Sequence, residues 1–170
     1  MAQPFTVYVM QSAHTDIGYT HPQEQLQEMY LEYYDRILDI CRETANDPEE
    51  HRFKWTCETF WQVQHYIAQR PEREEEFLNY VRRGQIEITA LYAHFTDLID
   101  EDAYRRSLQL AVEYCQRHHL PLRTGMHCDV NGWPWAVADL LAEYHIPYFI
   151  SHLNLDMGTD PLGKRGSVPY

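Results

Sequence analysis

Basic residues are scarce in this chain of 170 residues, where 14 Lys and Arg stand against 26 Asp and Glu for a formal net charge of −12. Nucleic acid and anionic membranes both select clustered Lys and Arg, so neither is an expected partner. The pairs Arg82-Arg83 and Arg105-Arg106 read as solvated helix faces. No apolar run approaches the roughly 20 residues that a membrane helix needs. The opening Met-Ala-Gln-Pro-Phe lacks the basic and apolar regions of a signal peptide. Cysteine is sparse and scattered: Cys41, Cys57, Cys115 and Cys128 form no Cys-x-x-Cys pair, which argues against a disulfide framework and against a zinc knuckle. Buried thiols in a reducing compartment fit this pattern, so a cytoplasmic location is expected. The chain also has no internal repeats and no low-complexity segment.

What is present is the composition of a globular domain, 44% hydrophobic and 24% charged. Short β-rich runs alternate with longer segments of helical period. Phe5 to Met10 reads as a first strand, and Pro22 to Thr44 as a helix with Leu26, Met29, Tyr30, Tyr33, Ile37 and Ile40 on one face. Asn46-Asp47-Pro48 ends that helix. The segments 53–58, 85–91, 122–129 and 146–152 read as further strands. Helices are expected over 60–69, 71–83, 101–119 and 133–144. Pro71 and the glutamates at 72 and 74–76 suit a helix start and a solvated face, and Gly84 suits its end. Strand and helix in alternation imply parallel strands with right-handed crossovers. An open sheet and the first part of a β/α barrel both satisfy this pattern, and an incomplete barrel of about five strands is favoured.

In parallel α/β architectures the active site lies beyond the carboxyl ends of the strands. Those ends carry His14 and Asp16, Glu58, then Tyr92, His94 and Asp97, then His127 and Asp129, and last Ser151 and His152. The strand starts offer Thr6, Arg52, Gln85, Leu122 and Pro147, a poor set for binding a metal. Alternation along the first strand points His14 and Asp16 the same way. Aspartate after a strand often caps the next helix, but in "DVNGWPW" Asn131 competes for that position and leaves Asp129 free to face the site. One imidazole and two carboxylates form a donor set suited to Zn²⁺, or less selectively to Mn²⁺ and Co²⁺. Glu58 is read as a structural hydrogen-bond partner under the rim, and His127 as a core histidine. His94, Asp97 and Asp100 are candidates for additional substrate contacts. Tyr19, Tyr92 and Trp133, placed at strand ends, are candidates for stacking on sugar rings.

"HTDIGY", "FKWTCETFW", "GQIEITALY" and "MHCDVNGWPW", in this order, resemble the N-terminal catalytic domain of glycoside hydrolase family 38, the α-mannosidases. That family carries His-x-Asp-x-Gly-Trp, Phe-x-Trp-x-x-Glu, a Gly-x-x-Glu strand leading to Gly-Gly-Trp, and a later Asp-x-x-Gly. The resemblance implies a seven-stranded parallel β/α barrel, of the type shared by glycoside hydrolases and deacetylases. It also implies a divalent ion, most simply Zn²⁺, held by His14, Asp16, Asp129 and a fourth ligand. Asp129 would double as the nucleophile of a retaining glycosidase acting on a carbohydrate substrate. Three departures touch the sugar pocket. Tyr19 stands in place of the motif tryptophan, Ala90-Leu91-Tyr92 replaces Gly-Gly-Trp, and Trp133-Pro134 replaces a usual His-Ser.

The family's fourth ligand, a histidine, and its acid/base aspartate come from later in the chain than residue 170. The expectation is therefore a fragment of a larger enzyme, with a partial barrel over 1–155 and a loop over 156–170. Its uncovered sheet edge makes a homo-oligomer a candidate state. Two rival functions are a metal-dependent carbohydrate deacetylase or amidohydrolase, and a carbohydrate-binding remnant without catalysis. The first usually needs a His-x-His pair, or an Asp-Asp motif with His-x-x-x-His, and the chain has neither.

Overall fold

The computed structural model describes residues 5–14 and 16–154. The loop expected over 156–170 lies outside these residues. Five helices, α1 (Gln23–Glu43), α2 (Phe60–Gln69), α3 (Glu74–Arg82), α4 (Glu101–Arg117) and α5 (Ala136–Glu143), carry most of the regular structure. The strands are short: β1 (Trp55–Cys57), β2 (Ile86–Ile88), β3 (Thr124–Cys128) and β4 (Tyr148–His152).

The barrel expectation is overturned. Among the described residues, β1 pairs with β2 and β3 with β4 in two separate two-stranded parallel sheets, with no closed or seven-stranded array. One parallel bridge, Thr89 to Thr124, joins the end of β2 to the start of β3, with Ala90 N donating to the Thr124 carbonyl at 2.9 Å. A single bridge is too little ladder to merge the two pairs into one sheet.

The first expected strand is also absent. Phe5, Val7, Tyr8 and Val9 are 69 to 92% exposed, and the run 5–10 forms no ladder. Only at Gln11 does a backbone carbonyl accept from Thr56 N, at 2.8 Å. Strand propensity reflects packing against neighbours on a pleated surface, and an exposed run has none to pack against.

The remaining elements are products of local chemistry. Helix α1 buries Leu26, Tyr30, Tyr34, Ile37, Leu38 and Cys41, spaced three and four apart so that they share one face. The Thr44 hydroxyl donates to the Ile40 carbonyl and accepts from Phe53 N, closing the helix end and turning the chain towards β1. Helix α4 starts on Asp100, whose carboxylate accepts from Ala103 N at 2.8 Å. Asp100 is thus a helix cap, not a loop residue awaiting substrate. The glutamates at the start of α3 are also more than a solvated face: Glu76, with Asp35 and Asp39 of α1, surrounds the mostly buried Arg73 guanidinium.

Helix α4 serves two hydrophobic clusters. Its Ala111 and Cys115 join the core under α1, α2, α3, β1 and β2. Its Tyr104, Leu108 and Val112 join Val137, Leu140, Leu141 and Ile146 in a second core beside β3 and β4. Truncating a buried leucine costs about 2–5 kcal/mol, so Leu108→Ala is expected to lower stability by that amount in urea unfolding.

Helix α5 lies close over β3 because position 125 has no side chain. A Cβ there would stand 3.1 Å from both Leu141 methyl groups and 3.3 Å from the Phe149 ring. Gly125→Val is expected to destabilise the fold by about 1–3 kcal/mol, measurable as a lower urea midpoint with an unchanged slope.

Candidate metal centre and cleft

The end of β1 and the segment after β2 are bound together at backbone level. The buried Thr89 hydroxyl lies 2.8 Å from the carbonyls of both Cys57 and Glu58. The first two amides of α2, Phe60 N and Trp61 N, donate to the carbonyls of Leu91 and Tyr92. These contacts set Glu58 and Thr59 beside Ala93 and His94. From the other sheet, Asp129 N donates to the His152 carbonyl at 2.9 Å, which prolongs the pairing of β3 with β4. Asp129 then takes a left-handed backbone, φ +62°. Aspartate tolerates that region better than most residues, and such backbone is common where side chains are aimed at a site.

These elements surround a cleft of about 340 Å³ lined by His14, Asp16, Tyr19, Thr59, His94 and Asp129, with Ile17, Ala93 and Val130. At its floor His14 Nε2 lies 3.4 Å from Asp16 Oδ1 and 3.4 Å from Asp129 Oδ2. The other ring nitrogen, Nδ1, lies 2.7 Å from Oε1 of Glu58, a carboxylate only 1% exposed. His94 stacks behind His14, with ring centroids 5.8 Å apart and planes inclined by 19°. Its Nε2 lies 3.4 Å from the same Glu58 oxygen, and its Nδ1 accepts from Cys128 N at 3.3 Å.

Two overlapping donor sets result, His14 with Asp16 and Asp129, and His14 with Glu58 and His94. Bond lengths separate them. Ligand atoms about 2.0–2.1 Å from zinc, at a tetrahedral angle, lie roughly 3.3 Å apart. The two 3.4 Å separations at Nε2 meet that requirement, whereas the 2.7 Å contact to Glu58 is a hydrogen bond. The outer set therefore fits an ion, and Glu58 stands behind it. The same geometry places three carboxylates around one imidazole.

Electrostatics agree with that division. Burial pulls the His14 imidazole down, but the hydrogen bond to Glu58 and the charges of Glu58, Asp16 and Asp129 outweigh it and leave its pKa raised. For Glu58, burial favours the neutral acid, yet the imidazoles of His94 and His14 hold its carboxyl below the usual value. Burial, together with Glu58 and Asp129, pushes the Cys128 thiol up to about 12, so it stays protonated and is a poor ligand.

The other residues singled out in the sequence divide. Tyr19, 81% exposed, stands at the mouth of the cleft. Tyr92 and Trp133 do not line it. Tyr92 packs on the first core and its hydroxyl donates to Gln64, while Trp133 packs on the second core and donates from its indole to Ser151 Oγ at 3.0 Å. His127 is fully buried with Nε2 3.1 Å from the Phe95 carbonyl, and burial depresses its pKa, as suits a core histidine. Asn131 does not cap α5, whose N-terminus carries no side-chain cap. Its amide instead exchanges two hydrogen bonds with the backbone of Asn154, tying the loop after β3 to the segment after β4. His94 sits behind the donor set rather than in an open loop, and only the contact between the ends of β1 and β2 could reveal that.

Residues 4–153 match the family model described as the glycosyl hydrolases family 38 N-terminal domain. No curated protein matches the chain. Among solved structures, an alpha-mannosidase from Enterococcus faecalis V583 superposes with a TM-score of 0.68 at 20% identity, over 84% of this chain and 16% of that one. A protein in glycosyl hydrolase family 38 from Enterococcus faecalis gives 0.66 at 19%, over the same shares. A 4-alpha-glucanotransferase from Thermococcus litoralis gives 0.59 at 15%, over 81% of this chain and 21% of that one. The chain thus spans about a sixth of the length of the first two proteins, and at these identities the likeness is one of fold. By its family match across nearly the whole sequence, this chain belongs to glycosyl hydrolases family 38, within the N-terminal domain of that family.

Proposed function

We propose that the chain carries the metal-binding half of a retaining glycosidase active site that acts on α-mannosides. The observation that carries this reading is the convergence of His14 Nε2, Asp16 Oδ1 and Asp129 Oδ2 at ligand spacing on the floor of the cleft. Family membership and the fold shared with an alpha-mannosidase support it.

His14, Asp16 and Asp129 would hold a divalent ion, with Zn²⁺ the best match to one nitrogen and two oxygen donors. Bound there, such an ion would supply Lewis-acid charge to polarise sugar hydroxyl groups. Each side chain then has a definite task. Asp129, half exposed on its left-handed turn, presents a carboxylate oxygen to the anomeric carbon. As that carbon–oxygen bond forms, the bond to the leaving oxygen breaks, and the leaving oxygen takes a proton from a second carboxyl group. Water next attacks the glycosyl ester, gives its proton to that second group and releases Asp129. Two inversions give net retention. The motif resemblance to family 38 would draw that second carboxyl group from a later part of the catalytic domain. Tyr19 offers an exposed ring at the mouth of the cleft against which a sugar face can pack.

Titration calorimetry with zinc tests the donor set: His14→Ala and Asp129→Ala are each expected to abolish binding, whereas Trp133→Phe leaves it intact. Retention of tight binding by either of the first two variants refutes the assignment. Assays with an aryl α-mannoside, alongside an N-acetylated sugar, test the chemistry. Release of the aryl group without release of acetate is the expected result, and deacetylation alone would replace the glycosidase reading. Zinc and mannoside binding without turnover in the 170-residue chain would make it a binding half-site.

A further inference from the structure

We infer that Glu58 is a positioning residue of the metal centre, one that holds the proton of His14 on Nδ1 and thereby leaves Nε2 as the lone-pair nitrogen facing the ion. This rests on the proposed donor set and extends it, because Glu58 touches neither the ion position nor the cleft surface.

A carboxylate accepts hydrogen bonds, so the 2.7 Å contact to Glu58 is made with the proton of His14 on Nδ1, the assignment that proton–nitrogen spectra read directly. In a neutral imidazole the other nitrogen is then an acceptor, and that nitrogen is the one lying 3.4 Å from both Asp16 and Asp129. The opposite tautomer would turn an N–H towards the ion. Glu58 is itself fixed from two sides. Thr89 Oγ1 lies 2.8 Å from its backbone carbonyl, and His94 Nε2 approaches the same Oε1 atom that serves His14. His94 Nδ1 accepts from Cys128 N, which turns Nε2 towards Glu58 at 3.4 Å. The stacked His94 ring also limits how far His14 can turn about its side-chain bonds.

Two other roles for Glu58 fail on geometry. As a metal ligand it would stand about 3.3 Å from a co-ligating nitrogen, not at hydrogen-bond distance. As a reacting carboxylate it would need access to substrate, and at 1% exposure beneath His14 it has none.

The test uses the full chain carrying Glu58→Gln, an isosteric change, with circular dichroism to verify folding. Partners of this kind set metal affinity by about 10–100-fold, and zinc titration of E58Q is expected to show a loss of that size. Long-range proton–nitrogen correlation spectra of the metal-free protein supply an independent readout. Recorded at a pH high enough to leave the ring neutral, they are expected to place the wild-type His14 proton on Nδ1 and to show it shared between both nitrogens in E58Q. A wild-type ring protonated at Nε2, or an E58Q protein that binds zinc as tightly as wild type, overturns the inference. If E58Q does not fold, the wild-type tautomer decides alone. Failure of the underlying metal reading has a different signature, with wild type and His14→Ala taking up zinc equally or not at all, and it removes the inference as well.

Discussion

The hydrogen bond between His14 and Glu58 does double service, holding the N-terminal segment in place and orienting the imidazole. Residues before α1 join no sheet among the described residues, and the run 5–10 is largely exposed. The contacts that anchor the stretch from Gln11 to His14 include the Gln11 carbonyl with Thr56 N, the His14 carbonyl with the Tyr30 hydroxyl, and the 2.7 Å link to Glu58. Only the last joins an exposed side chain to a buried charge. A charge-assisted bond of this kind contributes about 1.5–3 kcal/mol, and leaving such a carboxylate without partners costs more. The donor atoms therefore reach the cleft floor as a consequence of satisfying Glu58.

Charge in the cleft is governed by the same contact. Glu58, Asp16 and Asp129 crowd one imidazole, Glu58 at Nδ1 and the two aspartates together at Nε2. Burial raises the pKa of the Glu58 carboxyl, and the imidazoles of His94 and His14 outweigh it and leave it lowered. Part of the ring's raised pKa comes from Asp16 and Asp129, the groups a divalent ion would neutralise. In this way the packing beneath the ring and the electrostatics above it favour the same outcome.

Among the described residues the two sheets meet at one bridge, and the site lies across that junction: His14 leans on Glu58 at the end of β1, and Asp129 prolongs the β3–β4 pair. Rigidity across the junction comes from elsewhere. Helix α4 packs into both hydrophobic clusters, and His94 accepts from Cys128 N between the two pairs. The Asn131–Asn154 exchange secures the loop that carries Asp129.

Much was legible from residues alone. Apolar spacing along α1 and the Asn-Asp-Pro stop mark that helix, Phe60–Gln69 matches its expected span, and four of the five strand positions hold β-structure, because these depend on neighbours within a few residues. Residue type and strand-end position also singled out His14, Asp16 and Asp129, which the structure brings together in one cleft. Tertiary structure decided the rest. Whether Phe5 to Met10 pairs depends on an available strand edge, and whether strands close into a barrel depends on ladders longer than one bridge. Which aromatic ring reaches the cleft depends on packing, which draws Trp133 to Ser151 and leaves Tyr19 exposed. The orientation of the His14 ring is tied to a buried carboxylate 44 residues away, a long-range contact that no local pattern encodes.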